Sequence, residues 1–494
     1  MPHSGRLLAE KEKMAYDFQK HFINGEWVSS TSDAMIEVEN PATHAHFARV
    51  PDGTPEDVDR AARAARAAQP GWAATPMCER VALMKKMLAL FRADEDRIVD
   101  LEVKELGQPV AFTRATQVRY QYDRTASYIA LAEKSLELES KWAASTVLRE
   151  PVGVVAAITP WNYPLGQIVQ KLIPAVLTGN TVVLKPSQHT PLTAFLLVDA
   201  FDRAGFPKGV VNLVSGRGSR LGDAFARHPD VDMISFTGST SVGTSLAQKA
   251  LESMKRISLE LGGKSPCIWL DEMPDPDLAV KKLFDSIFLN AGQTCTALSR
   301  LLVPAAKLEE AKALLLKHLP DYPAGDPTDP ASKVGPLSSR AQFEKVASYL
   351  RLGLEEGATL LAGEVPPEDA GSYLVKPAIF VDVRNDMRIA QEEIFGPVLC
   401  VIPYSDVDEA VRIANDTPYG LNAMVWGPKA KAIEVARAVK AGNVYVNDGP
   451  RDITAPFGGY KASGLGREGG IAGLQEFTQY KAIFDCGSFQ LSFN

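Results

Sequence analysis

From about residue 150 onward, short β-branched runs alternate with longer segments of helical length. Runs of this kind occupy residues 152–158, 181–184, 210–214, 233–235 and 265–269. Because strands separated by helix-length segments pair in parallel, the pattern predicts a parallel sheet covered by helices on both faces. A second alternating stretch covers about 265–465, and no Pro/Ser-rich linker separates it from the first. We therefore predict an α/β fold with two doubly wound parallel-sheet domains that pack closely together.

The length and charge of the chain limit its class. At ~150 residues per domain, 494 residues suggest about three folded units. The 60 acidic side chains outnumber the 53 basic ones, which argues against nucleic acid as a partner. No stretch approaches the ~18 uninterrupted apolar residues of a membrane span, and the charged N-terminus does not resemble a secretory signal. We expect a cytoplasmic protein that binds neither nucleic acid nor membrane.

The cysteines and histidines are scattered through the sequence. The seven histidines lack metal-binding spacing, and the five cysteines contain no CxxC pair: Cys78, Cys267, Cys295, Cys400 and Cys486. We therefore expect free thiols, no disulfide framework and no metal site.

Three local signals predict element boundaries. Asn24-Gly25 predicts the turn of a hairpin over residues 22–28. Thr54 followed by Pro, Glu and Asp predicts the N-cap and first turn of a helix, and the segment 405–408 repeats this start signal with Ser405 in the capping position. A helix is also predicted over 165–177.

Two glycine-containing loops could bind a phosphate. Residues 216–222 read GxGxxxG, one residue away from the dinucleotide fingerprint, although glycines also punctuate ordinary loops. Residues 236–243 follow a predicted strand and precede a predicted helix over 244–254, so Gly238, Ser239 and Thr240 would lie at a helix N-terminus that suits an anion. The alternative is a capped helix without a ligand. Lys185 ends a predicted strand, where it could reach a ribose or phosphate or remain an ordinary solvated lysine.

Two side chains have the sequence context of reactive groups. Cys295 lies in a small, polar loop rather than an apolar run, as expected for an accessible nucleophile. Glu260 lies between two leucines beside a Gly-Gly turn, where partial burial would raise its pKa toward the range of a general base. An N-cap or ion-pair role is the alternative for this glutamate, and a cysteine hydrolase is the alternative for Cys295 alone.

Seven motifs then occur in a fixed order. They are WNYP at 161–164, KPS at 185–187, FTGSTSVG at 236–243, ELGGK at 260–264, GQTC at 292–295, EEIFGP at 392–397 and PFGGYKASG at 456–464. Together they resemble the motifs of the aldehyde dehydrogenase superfamily, and the resemblance covers about residues 20–485.

The resemblance implies a role for four catalytic residues. Cys295 matches the nucleophile, whose thiolate adds to the aldehyde carbon and gives a thiohemiacetal and then a thioester. Asn162 matches the side-chain arm of the oxyanion hole, with the Cys295 backbone N–H as the other arm. Glu260 matches the base that activates water for thioester hydrolysis. Glu468 matches a position linked to proton relay, and a structural role is the alternative.

The resemblance also implies NAD as the cofactor and twelve residues around it. These are Thr159, Trp161, Lys185, Ser187, Gln188, Gly216, Gly238, Ser239, Gly243, Leu261, Glu393 and Phe395. Many relatives carry Glu where this chain has Gln188. A neutral Gln does not repel a ribose 2′-phosphate, so we expect NADP to be tolerated.

The resemblance implies three structural parts. Residues 1–132 and 151–262 would form a Rossmann-like cofactor domain, and 263–464 would form the catalytic domain. Residues 133–150 and 479–494 would form oligomerisation elements, including a small hairpin, in a homodimer or homotetramer.

Seven residues are expected to line the aldehyde site: Tyr163, Gln167, Gln170, Thr294, Thr296, Arg451 and Phe457. Polar groups there favour an aldehyde that carries a hydroxyl, amide or carboxylate, with Arg451 as a carboxylate partner. The alternatives are that the glutamines face backbone and that Arg451 pairs with Asp452. Two further alternatives concern activity: a CoA-acylating semialdehyde dehydrogenase, which Glu260 disfavours, and a catalytically silent binding protein of the same fold.

Overall fold

A computed structural model describes residues 18–142, 145–367 and 370–484. Cys486 and the end of the predicted 479–494 segment lie outside the described residues. The strands of the described residues are β1 His21–Ile23, β2 Glu26–Val28, β3 Met35–Glu39, β4 His46–Pro51, β5 Glu139–Trp142, β6 Ser145–Pro151, β7 Val154–Ile158, β8 Thr181–Lys185, β9 Val211–Leu213, β10 Met233–Thr237, β11 Arg256–Glu260, β12 Pro266–Trp269, β13 Arg300–Pro304, β14 Thr359–Ala362, β15 Ala378–Val381, β16 Val398–Tyr404, β17 Asn422–Trp426, β18 Asn443–Val446, β19 Gly464–Leu465 and β20 Thr478–Phe484.

The helices cover the sheets and are numbered separately. They are α1 Pro55–Ala74, α2 Met77–Ala93, α3 Glu95–Leu106, α4 Val110–Phe112, α5 Tyr120–Lys134, α6 Pro164–Leu177, α7 Leu192–Ala204, α8 Gly218–Arg227, α9 Thr240–Leu251, α10 Pro276–Ile287, α11 Leu308–His318, α12 Arg340–Glu355, α13 Arg388–Gln391, α14 Val407–Asn415, α15 Lys429–Ala438 and α16 Gly470–Glu476. A π-helical segment, Thr113–Arg119, joins α4 to α5.

The first sheet has eight strands in the order β19-β11-β10-β7-β8-β9-β1-β2. The five strands from β11 to β9 are parallel, and the outer strands are antiparallel additions. Alternate residues of β7 enter different cores: Val155 and Ala157 pack with α6 and α7, whereas Val154 and Ala156 pack with α1 and α8. The sheet therefore has helices on both faces, and the doubly wound prediction is confirmed.

The second sheet has seven strands in the order β14-β15-β16-β13-β12-β17-β18. Six of them, from β15 to β18, are parallel, and β14 is antiparallel at one edge. The largest hydrophobic cluster surrounds this sheet and includes Trp269, Phe284 and Trp426. β12 begins only six residues after β11 ends, so the chain passes directly from the first sheet into the second.

A third sheet has three antiparallel strands in the order β20-β6-β5. Trp142 of β5 and Phe484 of β20 are among its exposed apolar side chains. Among the described residues, no helix combines the length and the apolar character needed to cross a membrane. The described cysteines are all free, and no described group of acidic, His or Cys side chains is arranged to hold a metal ion.

The structure confirms two of the predicted boundaries and corrects two others. The hairpin turns at Asn24-Gly25, and Thr54 caps α1 in a reciprocal capping box with Asp57. The predicted helix over 244–254 runs instead over Thr240–Leu251: it begins earlier because Ser239 caps it, and it ends before Met254, whose φ is +54°. The N-cap of α14 is Asp406 and not Ser405, because the Asp406 carboxylate accepts the Glu409 N–H while Ser405 donates its own N–H to the Glu409 side chain.

Candidate active site

The carboxyl ends of the five parallel strands of the first sheet collect most of the predicted cofactor residues. Each strand ends at or just before part of the set, in this order: β7 before Thr159 and Trp161, β8 at Lys185 and before Ser187 and Gln188, β9 before Gly216, β10 before Gly238 and Ser239, and β11 before Leu261. Parallel pairing aligns these ends at one edge, as in the pairs Ile158–Lys185 and Thr237–Glu260. In such sheets, ligands bind in the crevice outside the carboxyl ends.

The strand order reverses between β7 and β10. The chain runs from β7 through β8 to β9 on one side and then returns to add β10 and β11 on the other side. This is the topological switch point of the sheet, and the loops after β7 and β10 diverge around it. Trp161 and Asn162 lie in the first loop, and Gly238 and Ser239 lie in the second.

The N-terminus of α9 is exposed to this crevice. Ser239 is its N-cap, and its hydroxyl accepts the Val242 N–H at 3.4 Å. A methyl group at Gly243 would lie 2.5 Å from Cδ2 of Leu261, so the glycine allows close packing of the helix against the strand edge. Free N–H groups and the helix dipole suit a phosphate here.

Two buried polar groups beside the crevice have fewer hydrogen-bond partners in the protein than they could bind. The Lys185 ammonium donates to the Pro186 carbonyl at 2.9 Å, and burial lowers the pKa of Lys185 to about 8. The Thr159 hydroxyl is buried without a hydrogen-bond partner among the described residues. A ribose or phosphate would supply the missing acceptors, so the chemistry of these residues fits a dinucleotide.

Cys295 follows a sharp turn. Asn290, Ala291 and Gly292 have φ values of +57°, +51° and +70°, a left-handed run in which the two non-glycine residues are strained by about 1–3 kcal/mol each. Gly292 is required there, because a methyl group would lie 2.1 Å from the Gly396 carbonyl oxygen. The turn therefore holds the half-buried Cys295 in a fixed position.

Asn162 is bonded to the same loop. Its side-chain Nδ2 donates to the backbone carbonyl of Gln293 at 2.9 Å. Its backbone carbonyl accepts from Asn290 Nδ2 at 2.9 Å and from Gln117 Nε2 at 3.1 Å. The structure thus brings the predicted oxyanion-hole amide and the loop of the predicted nucleophile together. The Gln117 and Asn290 contacts were not predicted from the sequence.

Cys295 lies next to the segment that follows β11 of the first sheet. A methyl group at Gly263, just after β11, would lie 2.3 Å from the Cys295 carbonyl oxygen. Burial, followed by the nearby Glu393 and Glu260 carboxyl groups, raises the pKa of Cys295 to about 12. The thiol therefore has to lose a proton before it can act as a nucleophile.

Glu260 is the last residue of β11 and is buried. Neither carboxyl oxygen has a hydrogen-bond partner among the described residues. Burial, with a further contribution from Glu468, raises the pKa of Glu260 well above the usual range. A free, buried carboxyl with a raised pKa has the properties of a general base.

Glu468 forms a buried ion pair that the sequence did not reveal. Its Oε1 accepts from Lys171 Nζ at 2.6 Å, and both side chains are almost inaccessible to solvent. Glu468 Oε2 has no hydrogen-bond partner among the described residues. This ion pair is compatible with the structural alternative for Glu468, and the proton-relay role stays a prediction.

Glu393 and Phe395 reach the crevice from the second sheet. Glu393 Oε1 accepts the Gly263 N–H at 2.9 Å, and burial raises the pKa of this carboxyl. The Phe395 ring meets the Trp161 ring edge-on at 5.4 Å, with Phe395 itself at φ +61°. These contacts join the two halves of the crevice.

A cavity of about 280 Å³ lies beside Cys295. All seven predicted substrate residues line it: Tyr163, Gln167, Gln170, Thr294, Thr296, Arg451 and Phe457. Its remaining lining residues were not predicted, and they come from the π-helical segment, α5 and α6: Ala115, Thr116, Tyr120, Gln121, Arg124 and Gly166. Apart from Gly166, these residues lie 171 to 180 positions before Cys295, and no motif marks them.

The structure also bears on the two alternatives for these polar residues. No bond from Gln170 to backbone is found among the described residues, and Gln167 Oε1 is buried without a partner. Asp452 accepts from the Thr454 N–H and hydroxyl at 2.8 and 2.7 Å. Arg451 instead lies over the Tyr120 and Phe457 rings.

Comparison with known proteins identifies the family. The model of the aldehyde dehydrogenase family matches residues 27–483. A putative aldehyde dehydrogenase of Staphylococcus aureus is 43% identical over 474 residues, which cover 94% of this chain and 98% of the relative.

Solved structures agree with this match. Aldehyde dehydrogenase C of Pseudomonas syringae, a cysteine-to-alanine mutant in complex with NAD+ and octanal, is 41% identical, with a TM-score of 0.92 and coverage of 96% of this chain and 98% of that one. A Mycobacterium tuberculosis aldehyde dehydrogenase in complex with NAD+ is 38% identical, with a TM-score of 0.93 and coverage of 97% and 100%. The chain therefore belongs to the aldehyde dehydrogenase family, and it is an oxidoreductase that acts on an aldehyde group.

Proposed function

We propose that this chain oxidises an aldehyde to its carboxylic acid with NAD+, using Cys295 as the nucleophile. The observation that carries the proposal is the position of Cys295, between the cavity of about 280 Å³ and the carboxyl edge of the first sheet. An aldehyde in that cavity would have its carbon beside the thiol, and a nicotinamide in the crevice would approach from the opposite side. The NAD+ complexes of the two structural relatives support the same cofactor here.

Three regions would hold the cofactor. The N-terminus of α9, with Ser239, would bind the pyrophosphate, and Lys185 would bind the ribose of the adenosine end. Glu393 and Phe395 would contact the ribose and ring of the nicotinamide end. When bound, NAD+ supplies the acceptor for the hydride that leaves the aldehyde carbon.

The protein's own groups would then carry out acyl transfer. The Cys295 thiol releases its proton to water, and the thiolate Sγ adds to the aldehyde carbon. The resulting oxyanion is stabilised by the Asn162 amide and the Cys295 backbone N–H, each donor being worth ~10²–10³ in rate. Loss of hydride leaves a thioester on Cys295. Glu260 then accepts a proton from water, the water oxygen attacks the thioester carbon, and the C–S bond breaks, which releases the carboxylic acid and leaves Cys295 as the thiolate.

Glu260 also argues for water over coenzyme A as the acyl acceptor. A buried carboxyl beside the thioester would generate hydroxide locally, which would hydrolyse the intermediate before a second thiol could react. We therefore propose release of the free acid over acyl-CoA formation and over a silent binding protein.

An aldehyde panel tests the proposed function. Purified protein is mixed with alkyl, aromatic and carboxylated aldehydes, with NAD+ or NADP+, and with or without coenzyme A. We expect NADH absorbance to rise without coenzyme A and the acid to be the product. Cys295→Ala should abolish NADH formation while it leaves NAD+ binding, measured by calorimetry, in place. NADH production that strictly requires coenzyme A would contradict the proposal.

We further propose the division into 1–132 with 151–262, 263–464, and 133–150 with 479–494 as cofactor, catalytic and oligomerisation parts. The first sheet takes all its strands except β19 from before residue 263, and the second sheet takes all its strands from after it, which supports the division. The third sheet exposes Trp142, Ile483 and Phe484, which would be covered in a homodimer or homotetramer. Light scattering of the purified protein measures the assembly. We propose the cytoplasm as the location, since the cysteines described are unpaired.

A further inference from the structure

Arg124 is a buried cation in the wall of the cavity that contains Cys295. It lies on α5 with 7% of its surface exposed, and its Nη1 donates to Gln121 Oε1 at 2.7 Å. Its guanidinium also lies over the Tyr120 ring, at 5.0 Å from the ring centre. Among the described residues, no carboxylate forms an ion pair with Arg124.

Arg451 faces the same cavity from the opposite loop. Its guanidinium lies 5.7 Å from the centre of the Tyr120 ring and 5.2 Å from that of Phe457. The neighbouring Asp452 is bonded to Thr454, and no described carboxylate pairs with Arg451. Burial, followed by the charge of Arg451, lowers the pKa of Arg124.

A second cavity continues from the first one. It has a volume of about 320 Å³ and lies between α5 and the loop that carries Arg451. The two cavities share five lining residues: Tyr120, Arg124, Gln170, Arg451 and Phe457. A substrate that reacts at Cys295 could therefore extend its other end to both arginines.

A buried guanidinium without an anionic partner is unfavourable, because desolvation is not offset by an opposite charge. Arginine remains protonated in proteins, so it cannot escape this cost by releasing its proton. A carboxylate offers two oxygens in the plane that matches the guanidinium fork, and the Tyr120 ring holds that fork in orientation. Gln167 Oε1, also buried without a partner, adds to the polarity of the wall.

We infer that Arg124 and Arg451 bind a terminal carboxylate, so that the substrate is an aldehyde whose other end is a carboxylic acid. This inference rests on the proposed function, because it requires the aldehyde group to react at Cys295. The product would then be a dicarboxylic acid. Arg124 would determine specificity by binding the carboxylate end of the substrate, and it would not contact the reacting carbon.

The test compares aldehydes of equal chain length. The kcat/KM values of succinic and glutaric semialdehydes are measured against those of butanal and pentanal, with octanal as a longer alkyl member. In the wild-type enzyme we expect a preference of at least about tenfold for the carboxylated member of each pair. In Arg124→Gln and in Arg451→Gln, that preference should fall by about 10- to 100-fold, mainly through KM. Arg124→Lys, which keeps the charge but loses the fork, should fall in between.

Arg92→Gln is the matched control. Arg92 also stacks on a tyrosine, with its guanidinium 5.4 Å from the Tyr122 ring centre, but it is half-exposed and does not line either cavity. Its substitution should leave the preference for carboxylated aldehydes unchanged. An equal loss of preference in Arg92→Gln would show that stacking, not anion binding, is responsible, and would overturn the inference.

A second measurement needs no variant. Glutarate should inhibit pentanal oxidation competitively, at a concentration at least about tenfold lower than the neutral 1-pentanol does, and the difference should shrink as salt rises. Equal inhibition by glutarate and 1-pentanol, or a wild-type preference for the alkyl aldehydes, would overturn the inference while leaving the proposed function intact. The absence of NADH formation with every aldehyde would instead contradict the proposed function.

Discussion

The Glu260 carboxyl makes the clearest prediction at the scale of single residues. Both of its oxygens lack partners among the described residues, and burial raises its pKa well above the usual range. A base must be ionised to accept a proton, so hydrolysis of the thioester should slow as pH falls through the raised pKa. Glu260→Gln cannot ionise, and we expect it to lose both this pH dependence and about 10²–10⁴-fold of the hydrolysis rate.

Stopped-flow absorbance measures this effect. Acylation does not require Glu260 in the proposed mechanism, so a burst of NADH close to one per site should precede slow turnover in Glu260→Gln. The Cys295→Ala variant, which cannot acylate, is the control without a burst. Full steady-state activity of Glu260→Gln would show that Glu260 is not the base.

Gln188 makes a prediction about cofactor choice. It follows β8 three residues after Lys185, near the end where the adenosine ribose would bind. A carboxylate there would repel a 2′-phosphate, whereas the neutral amide does not. We expect Gln188→Glu to lower the ratio of kcat/KM for NADP+ to that for NAD+ by about tenfold, the effect of ~1.4 kcal/mol. Gln188→Asn keeps the neutral amide and should leave the ratio close to that of the wild type. A ratio in Gln188→Glu that is also close to wild type would contradict the role of charge at this position.

At the residue scale, the site residues that could be predicted from the sequence are those that lie in short motifs. Cys295, Glu260 and Asn162 stand in such motifs, and the structure brings them together. Arg124 and Lys171 could not be predicted. The importance of Lys171 depends on its contact with a residue more than 250 positions away, and that of Arg124 depends on a cavity that it shares with Arg451.

At the scale of elements, α6 begins above a buried carboxyl group. Glu102 of α3 accepts the Leu165 N–H in the first turn of α6 at 3.3 Å, and its second oxygen has no partner among the described residues. Burial raises the pKa of Glu102 to about 8. The folded protein therefore keeps a proton that the unfolded chain releases above its ordinary pKa of 4.5.

Because the pKa of Glu102 is higher in the folded protein than in the unfolded chain, the stability of the protein depends on pH. As pH rises from about 4.5 to 8, loss of the proton lowers the free energy of the unfolded state, so the folded state becomes progressively less stable relative to it. Glu102→Gln keeps the acceptor oxygen but cannot ionise, and we expect it to be more stable than wild type at pH 7 by up to about 3 kcal/mol. Thermal unfolding at pH 5.5 and 7.5 measures this effect.

The gain in Tm for Glu102→Gln should be larger at the higher pH. Glu133→Gln, on the exposed surface of α5, should shift Tm little at either pH and serves as the control. A gain that is the same at both pH values would show that Glu102 is ionised in the folded protein.

Elements with complete local signals were predictable. The turn at Asn24-Gly25 and the Thr54 capping box need only neighbouring residues, and both were found. The predicted start of α14 was one residue too early, because Ser405 and Asp406 are both good N-caps. Asp406 is the N-cap in the structure, where the Glu409 side chain accepts the Ser405 N–H. The π-helical segment Thr113–Arg119 has no sequence signature, since its geometry depends on the packing of the cavity wall.

At the scale of the whole molecule, the Lys171–Glu468 pair joins α6 to the segment that follows β19. The two residues are 297 positions apart, and both are buried. Removal of one partner leaves an uncompensated buried charge, so Lys171→Met should destabilise the protein by about 3–5 kcal/mol. The double variant Lys171→Met, Glu468→Gln should recover most of that loss.

Denaturant unfolding of the two single variants and the double variant forms the cycle that measures the pair. Lys85→Met is the control, because its ion pair with Glu133 is about half exposed and should change stability by less than about 1 kcal/mol. A Lys171→Met variant as stable as Lys85→Met would mean that water or a structural change compensates Glu468.

The antiparallel pairing of β19 with β11 has a consequence for synthesis of the chain. β11 ends at Glu260, and β19 begins at Gly464, so the strand that closes this edge leaves the ribosome roughly 200 residues later. At ~5–20 residues per second, the nascent first sheet spends about 10–40 s with β11 as an open edge. Unpaired edges recruit foreign strands, so this interval is the period in which the growing polypeptide is most exposed to aggregation and most dependent on chaperones.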